Sequence, residues 1–218
     1  CGLNDDWEFE KSFLKINTKC MVEAYDHTID KKFWVERFKK DIIHFFLLKK
    51  IRLRKIIHIF RYLDYLRFFK KHNNHHILKI GSENIYNEEV TINKILKAHQ
   101  NVILKVDIEG DEYKILDQIL DNSNKINTLI IEFHDIHKDI DRIEEFINKS
   151  KELKLIHIHA NNFAGSNKDG DPNVIELTFT NINKNELSLV KTNKSFPING
   201  LDYKNTHRKQ DFLLRFND

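Results

Sequence analysis

The sequence predicts an α/β fold in which a mostly parallel sheet carries helices on both faces. Short apolar runs alternate with segments of helical periodicity along most of the chain, the order that produces parallel strands joined by helices. Only six glycines and two prolines occur in 218 residues, which argues against sandwiches and propellers with many tight turns. The length suits one domain with a sizeable core, so we expect a single domain over residues 1–218.

The first part of the chain predicts two strands and two or three helices. Residues 20–25 (CMVEAY) have the composition of a short strand that ends at Asp26, and residues 77–80 (ILKI) form a second one, closed by Gly81. Between them, residues 31–71 have apolar side chains at helical spacing with basic residues interspersed, which indicates one long or two consecutive amphipathic helices. A further helix is expected over residues 91–100.

The second part predicts a regular succession of strands and helices that ends in a hairpin. Strands are expected at residues 102–106, 128–133, 155–160 and 174–179, and helices at 112–120 and 141–153. Asp141 is expected near the N-terminus of the second of these helices. Only a loop separates the last two strands, so we expect this hairpin to add one antiparallel strand at the edge of the sheet.

One segment carries the basic character of the chain. Between Arg37 and His72 there are twelve Lys and Arg residues against two Asp residues, whereas the formal net charge of the whole chain is only +3. We therefore predict a basic helical insertion over residues 31–72. Two interpretations stay open: a helical cover on the sheet with solvated bases, or an accessory surface that holds a polyanionic substrate or an anionic membrane. No nucleic-acid-binding motif accompanies this segment, so no nucleic acid partner is expected.

The cysteines and the hydropathy indicate where the protein works. Cys1 and Cys20 have neither the spacing of metal ligands nor that of a disulfide framework, and no apolar run reaches 18 residues. We therefore expect a cytoplasmic protein, with a peripheral position at the inner face of the membrane as an extension of that prediction. The chain begins at Cys1 without Met, and we expect the first strand of the domain to precede it.

Polar side chains gather where the predicted strands end. In a doubly wound sheet, ligands bind beyond the carboxyl ends of the strands. Side chains alternate along a strand, so two residues that are two positions apart share a face. The ends supply these residues: Asp26; Asp107 and Glu109; Glu132 and His134; His159 and Asn161. For Asp111, the favoured interpretation is a structural one, in which it starts the next helix and complements the helix dipole.

Several blocks of sequence resemble one family. VDIEGDEYKIL (106–116) is similar to the signature segment of the FkbM-type S-adenosylmethionine-dependent methyltransferases, a family of class I methyltransferases. LIIEFHDIH, HIHANNF, PNVIELTF and GLDYKNTHRKQDFLL resemble later blocks of one branch of that family. The resemblance covers most of residues 1–216 and is weakest over 37–71. It implies a Rossmann-like class I fold, with a seven-stranded sheet whose last strand is antiparallel.

The resemblance also implies how S-adenosylmethionine is bound. The opening residues match the glycine loop, although only one glycine is present. Asp26 is expected to accept the ribose hydroxyls, and Asp107 is expected to hold the methionine ammonium. The complete set of predicted cofactor-binding residues is Gly2, Asn4, Asp5, Asp26, Ser82 and Asp107.

The same resemblance implies O-methylation of a sugar or glycan precursor in bacterial surface-polysaccharide biosynthesis. His134 is the first candidate for the base that removes the hydroxyl proton and His159 the second, because imidazole titrates near neutral pH. Glu109 is expected to pair with a histidine and hold its tautomer. The residues expected to bind the substrate are Glu132, Asn161 and Asn162. Lipid, peptide and small-metabolite acceptors stay open, as does the oligomeric state.

Two alternatives remain beside this interpretation. The strand-end residues are acceptable ligands for a divalent cation, although no compact metal motif such as HExxH is present and the main interpretation assigns no metal. The residues concerned are Asp107, Glu109, His134, His159 and Asn161. The other alternative is a non-enzymatic module that binds a membrane or polyanion through the basic helix. A nicotinamide-dependent dehydrogenase is disfavoured because no GxGxxG follows a strand.

Overall fold

The computed structural model describes residues 1–47, 57–70, 72–185 and 195–215. The chain forms two compact units. The N-terminal unit comprises Gly2–Ile80 and Ile85–Glu89, and the C-terminal unit comprises Cys1, Gly81–Asn84 and Val90–Asp218. The expectation of a single methyltransferase domain over 1–218 stays a prediction.

The N-terminal unit combines helices with very short strands. β1 and β2 pair in parallel, with Ala24 opposite His75. The strand expected at residues 77–80 is shorter than predicted, since only Lys79–Ile80 is extended there. A separate strand, β2, precedes it. The elements in this part of the chain are α1 (Glu8–Ile16), β1 (Glu23–Tyr25), α2 (Lys31–Leu47), α3 (Ile57–Phe68), β2 (Asn74–His76), β3 (Lys79–Ile80) and β4 (Glu89–Val90).

Aromatic side chains form the core of the N-terminal unit. Trp7 and Trp34 are 2% and 4% exposed, and both lie in a buried cluster with Leu3, Ala24 and Ile29. Residues of α2 and α3, the helices of the predicted basic segment, pack against this cluster: Phe33, Phe38, Tyr62, Tyr65 and Phe68. Both helices therefore contribute apolar side chains to a core, as amphipathic spacing predicts.

Six of the twelve Lys and Arg residues between Arg37 and His72 lie outside the described residues. They are Lys49, Lys50, Arg52, Arg54, Lys55 and Lys71. Of the others, Arg37 pairs with Asp5 and Arg61 with Asp6. The predicted contact of residues 37–72 with a membrane or polyanion stays a prediction.

A four-stranded sheet organises the C-terminal unit. Its strands are β5 (Val102–Val106), β6 (Ile126–His134), β7 (Leu153–Ala160) and β8 (Val174–Asn181), and their spatial order is β5-β6-β8-β7. β5 and β6 are parallel, whereas β8 is antiparallel to both of its neighbours, β6 and β7. The expected antiparallel strand is therefore present, but its predicted place at the edge is wrong. It pairs on both sides, between β6 and β7.

Short helices connect these strands. α4 (Ile92–Leu96) is capped by Thr91, whose hydroxyl accepts a hydrogen bond from the Lys94 N–H. A 3₁₀ helix (Glu112–Ile115) leads into α5 (Leu116–Asp121), and a second one (Ser123–Lys125) precedes β6. The remaining elements are α6 (Ile136–Lys149), α7 (Ile182–Asn185), β9 (Ser195–Phe196) and β10 (Leu214–Arg215), the last two paired antiparallel.

The helix expected at residues 141–153 begins five residues earlier than predicted. α6 starts at Ile136, directly after Asp135, which has a left-handed backbone with φ of 52°. Asp139 is non-helical within α6, so the first turn and the rest of the helix meet at a kink. That kink obscures the helical period at its start. Asp141, predicted near the N-terminus of the helix, is the sixth residue of α6 and lies two positions after the non-helical Asp139.

Alternation along β6 separates an apolar face from a polar one. Leu129, Ile131 and Phe133 are completely buried, whereas Glu132 and His134, between and after them, are half-buried on the opposite face. Because β5 and β6 are parallel, their carboxyl ends reach the same edge of the sheet. Among the described residues, no helix is both long and apolar enough to cross a lipid bilayer.

Candidate functional site

The turn after β5 brings carboxylates to the edge of the sheet in the C-terminal unit. Asp107 follows the last residue of β5, and its side chain is 28% exposed. Glu109 and Gly110 both have left-handed backbones, with φ of 55° and 104°. Glycine adopts this conformation without strain, whereas a β-carbon makes it costly. The turn therefore leaves the Glu109 side chain 77% exposed and directs the chain back toward the sheet.

The Glu112 side chain is completely buried and accepts the hydrogen bonds that hold this turn together. Its carboxylate accepts hydrogen bonds from the Ile108 N–H at 3.1 Å and from the Gly110 N–H at 3.1 and 3.0 Å. His134 Nδ1 lies 2.9 Å from Glu112 Oε1. Burial alone would raise the pKa of Glu112, but the hydrogen bonds from His134 and Gly110 outweigh it and lower this pKa.

The sequence interpretation missed the role of Glu112, which it attributed only to the start of a helix. A signal for burial was nevertheless present. Ile115, Leu116 and Ile119 form the buried face of the following helical segment. Glu112 lies three and four positions before the first two, on the same helical face. A carboxylate at a buried helical position requires partners, and a histidine at a neighbouring strand end is one.

His134 ends β6 and points its second ring nitrogen toward the other two carboxylates. Its Nε2 lies 3.4 Å from Glu109 Oε2 and 4.0 Å from Asp107 Oδ1, and its backbone carbonyl accepts a hydrogen bond from the Tyr113 hydroxyl at 2.9 Å. Burial would lower the pKa of His134, but the hydrogen bond and charge of Glu112, followed by the charge of Glu109, raise it to about 9. Glu109 therefore lies beside His134, and its predicted role in holding the tautomer of a histidine stays a prediction.

A raised pKa bears on the predicted role of His134 as a base. A base must be unprotonated before it accepts a proton, and a histidine with a pKa of about 9 is mainly protonated at neutral pH. At neutral pH the ring is therefore a cation between carboxylates, and it becomes a competent base only under alkaline conditions. The base assignment stays a prediction.

Glu132 and Asn161 form a second polar pair on the same edge. The Asn161 amide donates a hydrogen bond of 2.9 Å to Glu132 Oε1 and accepts one from the Phe163 N–H at 3.0 Å. Burial raises the pKa of Glu132, and the hydrogen bond from Asn161 offsets only part of that effect. Two of the predicted substrate-binding residues are thus brought into direct contact.

His159 lies farther along the sheet. It is opposite Glu176 of β8, and Glu176 is opposite Glu132 of β6, so two strand spacings of about 5 Å each separate His159 from Glu132. Nε2 of His159 is buried and has no hydrogen-bond partner among the described residues. The structure does not join His159 to the His134 cluster, and its role as the second candidate base stays a prediction.

Asn162 is buried and bonded to the backbone of the C-terminal segment. Its side chain is 1% exposed, its amide donates hydrogen bonds to the carbonyls of Thr206 and Lys209, and it accepts one from the Thr206 N–H. These bonds attach the C-terminal segment to the end of β7. Substrate binding by Asn162 stays a prediction that this buried geometry does not favour.

The strand-end cluster carries excess negative charge. The His134 ring faces three carboxylates, with its nitrogens 2.9 Å from Glu112, 3.4 Å from Glu109 and 4.0 Å from Asp107. A single positive charge on His134 cannot balance all three. A cation is the ligand that such a site favours.

Asp26 follows β1 in the N-terminal unit and is 8% exposed. Its Oδ2 accepts hydrogen bonds from the Leu3 and Asn4 N–H groups at 2.8 and 2.9 Å. Its Oδ1 accepts from the Thr28 N–H and hydroxyl at 2.7 and 2.6 Å. Burial would raise the pKa of Asp26, but these bonds lower it. Because a carboxylate offers about four acceptor positions, the chain itself uses all of them, and ribose binding by Asp26 stays a prediction.

The remaining predicted cofactor-binding residues are divided between the two units. In the N-terminal unit, the N–H of Gly2 donates to the Tyr25 carbonyl at 2.9 Å, and Asn4 has a left-handed backbone with φ of 51°. Asp5 pairs with Arg37 at 2.7 Å. In the C-terminal unit, the Ser82 carbonyl accepts a hydrogen bond from Gln118 at 3.4 Å. Cofactor binding by each of these residues stays a prediction.

The fold and the strand-end cluster together describe an α/β protein with ionisable side chains at the carboxyl ends of parallel strands. Comparison with family models shows that the model of the Methyltransferase FkbM domain matches residues 57–154, a little under half of the chain. This match confirms the resemblance found in the sequence and supports a methyltransferase. The matched range contains the β5 turn and His134. Neither a curated protein nor a solved structure matches the chain.

Proposed function

We propose that the protein is an S-adenosylmethionine-dependent O-methyltransferase with a class I fold that methylates a hydroxyl of a sugar or glycan precursor. A role in bacterial surface-polysaccharide biosynthesis is part of this proposal. Its support is the match to the FkbM methyltransferase domain at residues 57–154, together with the resemblance of the later blocks to the same family.

The excess negative charge at the end of β5 carries the proposal in physical terms. S-adenosylmethionine bears a sulfonium and an ammonium group, so an anionic and partly exposed site favours it over a neutral ligand. Asp107 is accessible, and no side-chain hydrogen bond to it is formed within the part of the chain that the structure describes. A charge-assisted hydrogen bond from the cofactor ammonium fits this carboxylate.

Methyl transfer to oxygen requires one bond to form while another breaks. The acceptor oxygen bonds to the methyl carbon, the bond from that carbon to sulfur breaks, and S-adenosylhomocysteine leaves as a neutral thioether. The hydroxyl proton passes to a base or to water. Positioning of the hydroxyl in line with the sulfur supplies much of the rate. A base adds about 10²–10⁴-fold.

The pair formed by Glu132 and Asn161 supports a hydroxylated acceptor. Sugar hydroxyls both donate and accept hydrogen bonds, and a carboxylate next to a carboxamide offers acceptors and donors within one hydrogen-bond length. Their contact of 2.9 Å holds both side chains in a defined orientation. Such a pair discriminates against acceptors that lack a hydroxyl, because those would leave buried polar groups unpaired.

The test is transfer of a labelled methyl group from S-adenosylmethionine to a panel of sugars and glycan precursors, with mass spectrometry of the products. We expect a product heavier by one methyl group, and an Asp107→Asn variant that binds the cofactor about 10-fold more weakly or worse, the scale of a lost charge-assisted bond. Asp135→Asn is the matched control, since it removes an exposed carboxylate beside His134. Absence of cofactor binding by the unmodified protein would refute the proposal.

A further inference from the structure

We propose that the turn after β5 and the end of β6 bind one divalent transition-metal ion through Asp107, Glu109 and His134, with Glu112 as a positioning residue. The binding site itself follows from the geometry of these side chains. Only its consequence for methyl transfer rests on the proposed function.

Glu112 orients the histidine and is not itself a ligand. Asp107, Glu112 and His134 each place one potential ligand atom within 4.8 Å of the others. The Glu112 carboxylate, however, already accepts hydrogen bonds from the Ile108 and Gly110 N–H groups and faces His134 Nδ1. A carboxylate bonded to one ring nitrogen keeps a proton there, the arrangement common behind metal-bound histidines. A metal ion would displace the proton from the other nitrogen and bind its lone pair.

The free nitrogen of His134 faces two further donors at suitable separations. Nε2 lies 3.4 Å from Glu109 Oε2 and 4.0 Å from Asp107 Oδ1. Donor atoms bonded at about 2.1 Å to one ion lie about 3.0–3.4 Å apart when adjacent and about 4.2 Å apart when opposite. Both distances to Nε2 fall within that range, whereas the Glu109 carboxylate lies outside the group of atoms within 4.8 Å of one another and has to turn toward the ion. Glu109 has an exposed side chain, so it can adjust to an ion without disturbing the core.

The surroundings of these donors add two arguments for a cation. Negative charge is concentrated here, because three carboxylates face the single His134 ring. Access is open as well, since Glu109 is 77% and Asp107 28% exposed. An ion held by three protein donors at this edge keeps positions free for water or for an acceptor hydroxyl.

The donor set selects the kind of ion. Carboxylates suit Mg²⁺, Ca²⁺ and Mn²⁺, whereas an imidazole favours transition metals, and one histidine with two carboxylates fits Mn²⁺, Fe²⁺ or Zn²⁺. If the proposed methyl transfer is correct, an ion held by these residues would act as a Lewis acid toward the acceptor hydroxyl and favour the loss of its proton to water. The second oxygen of Asp107 would stay available to the cofactor.

The experiment is a titration of the metal-free full chain with Mn²⁺, followed by electron paramagnetic resonance and calorimetry, without cofactor or acceptor. We expect one Mn²⁺ per chain. Glu109→Gln, which changes an exposed side chain and leaves the packing intact, should weaken binding at least about 10-fold, as should His134→Asn. Glu112→Gln should weaken it about 10–100-fold through the orientation of His134.

Asp135→Asn is the matched control, because it removes a carboxylate adjacent to His134 that is not a proposed ligand, and Mn²⁺ affinity should be unchanged. Failure of Mn²⁺ to bind, or equal binding by the unmodified protein and Glu109→Gln, would overturn the proposed site. The proposed function fails separately. If the protein binds Mn²⁺ but not S-adenosylmethionine, the metal site stands and the proposed methyltransferase function is refuted. If methyl transfer occurs but Mn²⁺ does not bind, the function stands and the metal site is refuted.

Discussion

Asp26 and Asp107 each follow a strand, one in each compact unit, yet their carboxylates have opposite environments. Asp26 is 8% exposed, and hydrogen bonds from Leu3, Asn4 and Thr28 occupy its four acceptor positions. The Asp107 side chain is 28% exposed and receives no side-chain hydrogen bond among the described residues. The first carboxylate holds a loop together, whereas the second is available to a ligand.

The same contrast recurs within the turn after β5. Glu112 is buried and fully bonded, and Glu109, three residues before it, is exposed and pairs with His134. An acid at the end of a strand is therefore not sufficient evidence of a ligand site. The number of its acceptor positions that the chain already uses separates structural carboxylates from binding carboxylates.

The largest expected effect is that of removing the buried carboxylate of the turn. Glu112→Ala leaves the Ile108 and Gly110 N–H groups and the His134 ring without their partner, and breaking a buried ion pair costs about 3–5 kcal/mol. We expect a loss of that size in the free energy of unfolding, measured with urea. Glu109→Ala is the control and should change it by no more than about 0.5 kcal/mol. Equal losses in the two variants would contradict the contrast between these acids.

A pH dependence of stability should follow from His134. Its pKa is about 9 in the folded protein, above the unfolded value of about 6.5. The extra stability is therefore fully present below about pH 6.5 and is lost as pH rises through 9. The shift corresponds to on the order of 3 kcal/mol.

The measurement is the NMR titration of His134 in metal-free protein, together with urea unfolding between pH 6 and 10. Glu112→Gln should move the pKa of His134 down toward its ordinary value, because the strongest charge partner is removed. An unmodified protein whose His134 titrates near 6.5 would show that the carboxylates do not act on this ring.

Sequence patterns predicted the strands of the C-terminal unit well because burial sets their composition. β5 has the predicted bounds, residues 102–106, since an apolar run between polar turns admits few alternatives. The order of strands was not predictable in the same way. Whether β8 pairs at the edge or between β6 and β7 depends on contacts distant in sequence, and the loop before it is compatible with both arrangements.

The candidate site was predictable in composition but not in connectivity. Asp107, Glu109 and His134 were recognised from their places at strand ends, and the structure places a carboxylate oxygen of Glu109 at 3.4 Å and one of Asp107 at 4.0 Å from His134 Nε2. Glu112 was not recognised, because its contacts depend on the left-handed turn at Glu109 and Gly110. The hydrogen bonds that occupy Asp26 were not predictable either, because two donors lie more than twenty residues away.

A matched pair of substitutions compares the two strand-end acids directly. Asp26→Ala leaves the N–H groups of Leu3, Asn4 and Thr28 without their acceptor, and we expect a loss of about 2–3 kcal/mol in the free energy of unfolding. Asp107→Ala breaks no hydrogen bond and should cost less than about 1 kcal/mol, while it weakens S-adenosylmethionine binding about 10-fold or more. Urea unfolding and calorimetry provide both readouts. If Asp107→Ala destabilises the protein as much as Asp26→Ala does, the contrast between a structural Asp26 and a ligand-binding Asp107 is wrong.

The smallest expected effect concerns the backbone of the turn. Gly110 has φ of 104°, and a β-carbon added there would meet nothing within 4 Å; Gly170 has φ of 92° in equally open space. Alanine at either position therefore meets backbone strain but no clash, and each substitution should cost about 1–2 kcal/mol. The Gly110 N–H donates to Glu112, whereas the Gly170 N–H donates to the Asn167 carbonyl. Relaxation of the strain at Gly110 should therefore loosen the turn and lower the pKa of His134. Gly170→Ala should leave that pKa at about 9. Equal pKa values in the two variants would show that Glu112 holds His134 independently of the turn.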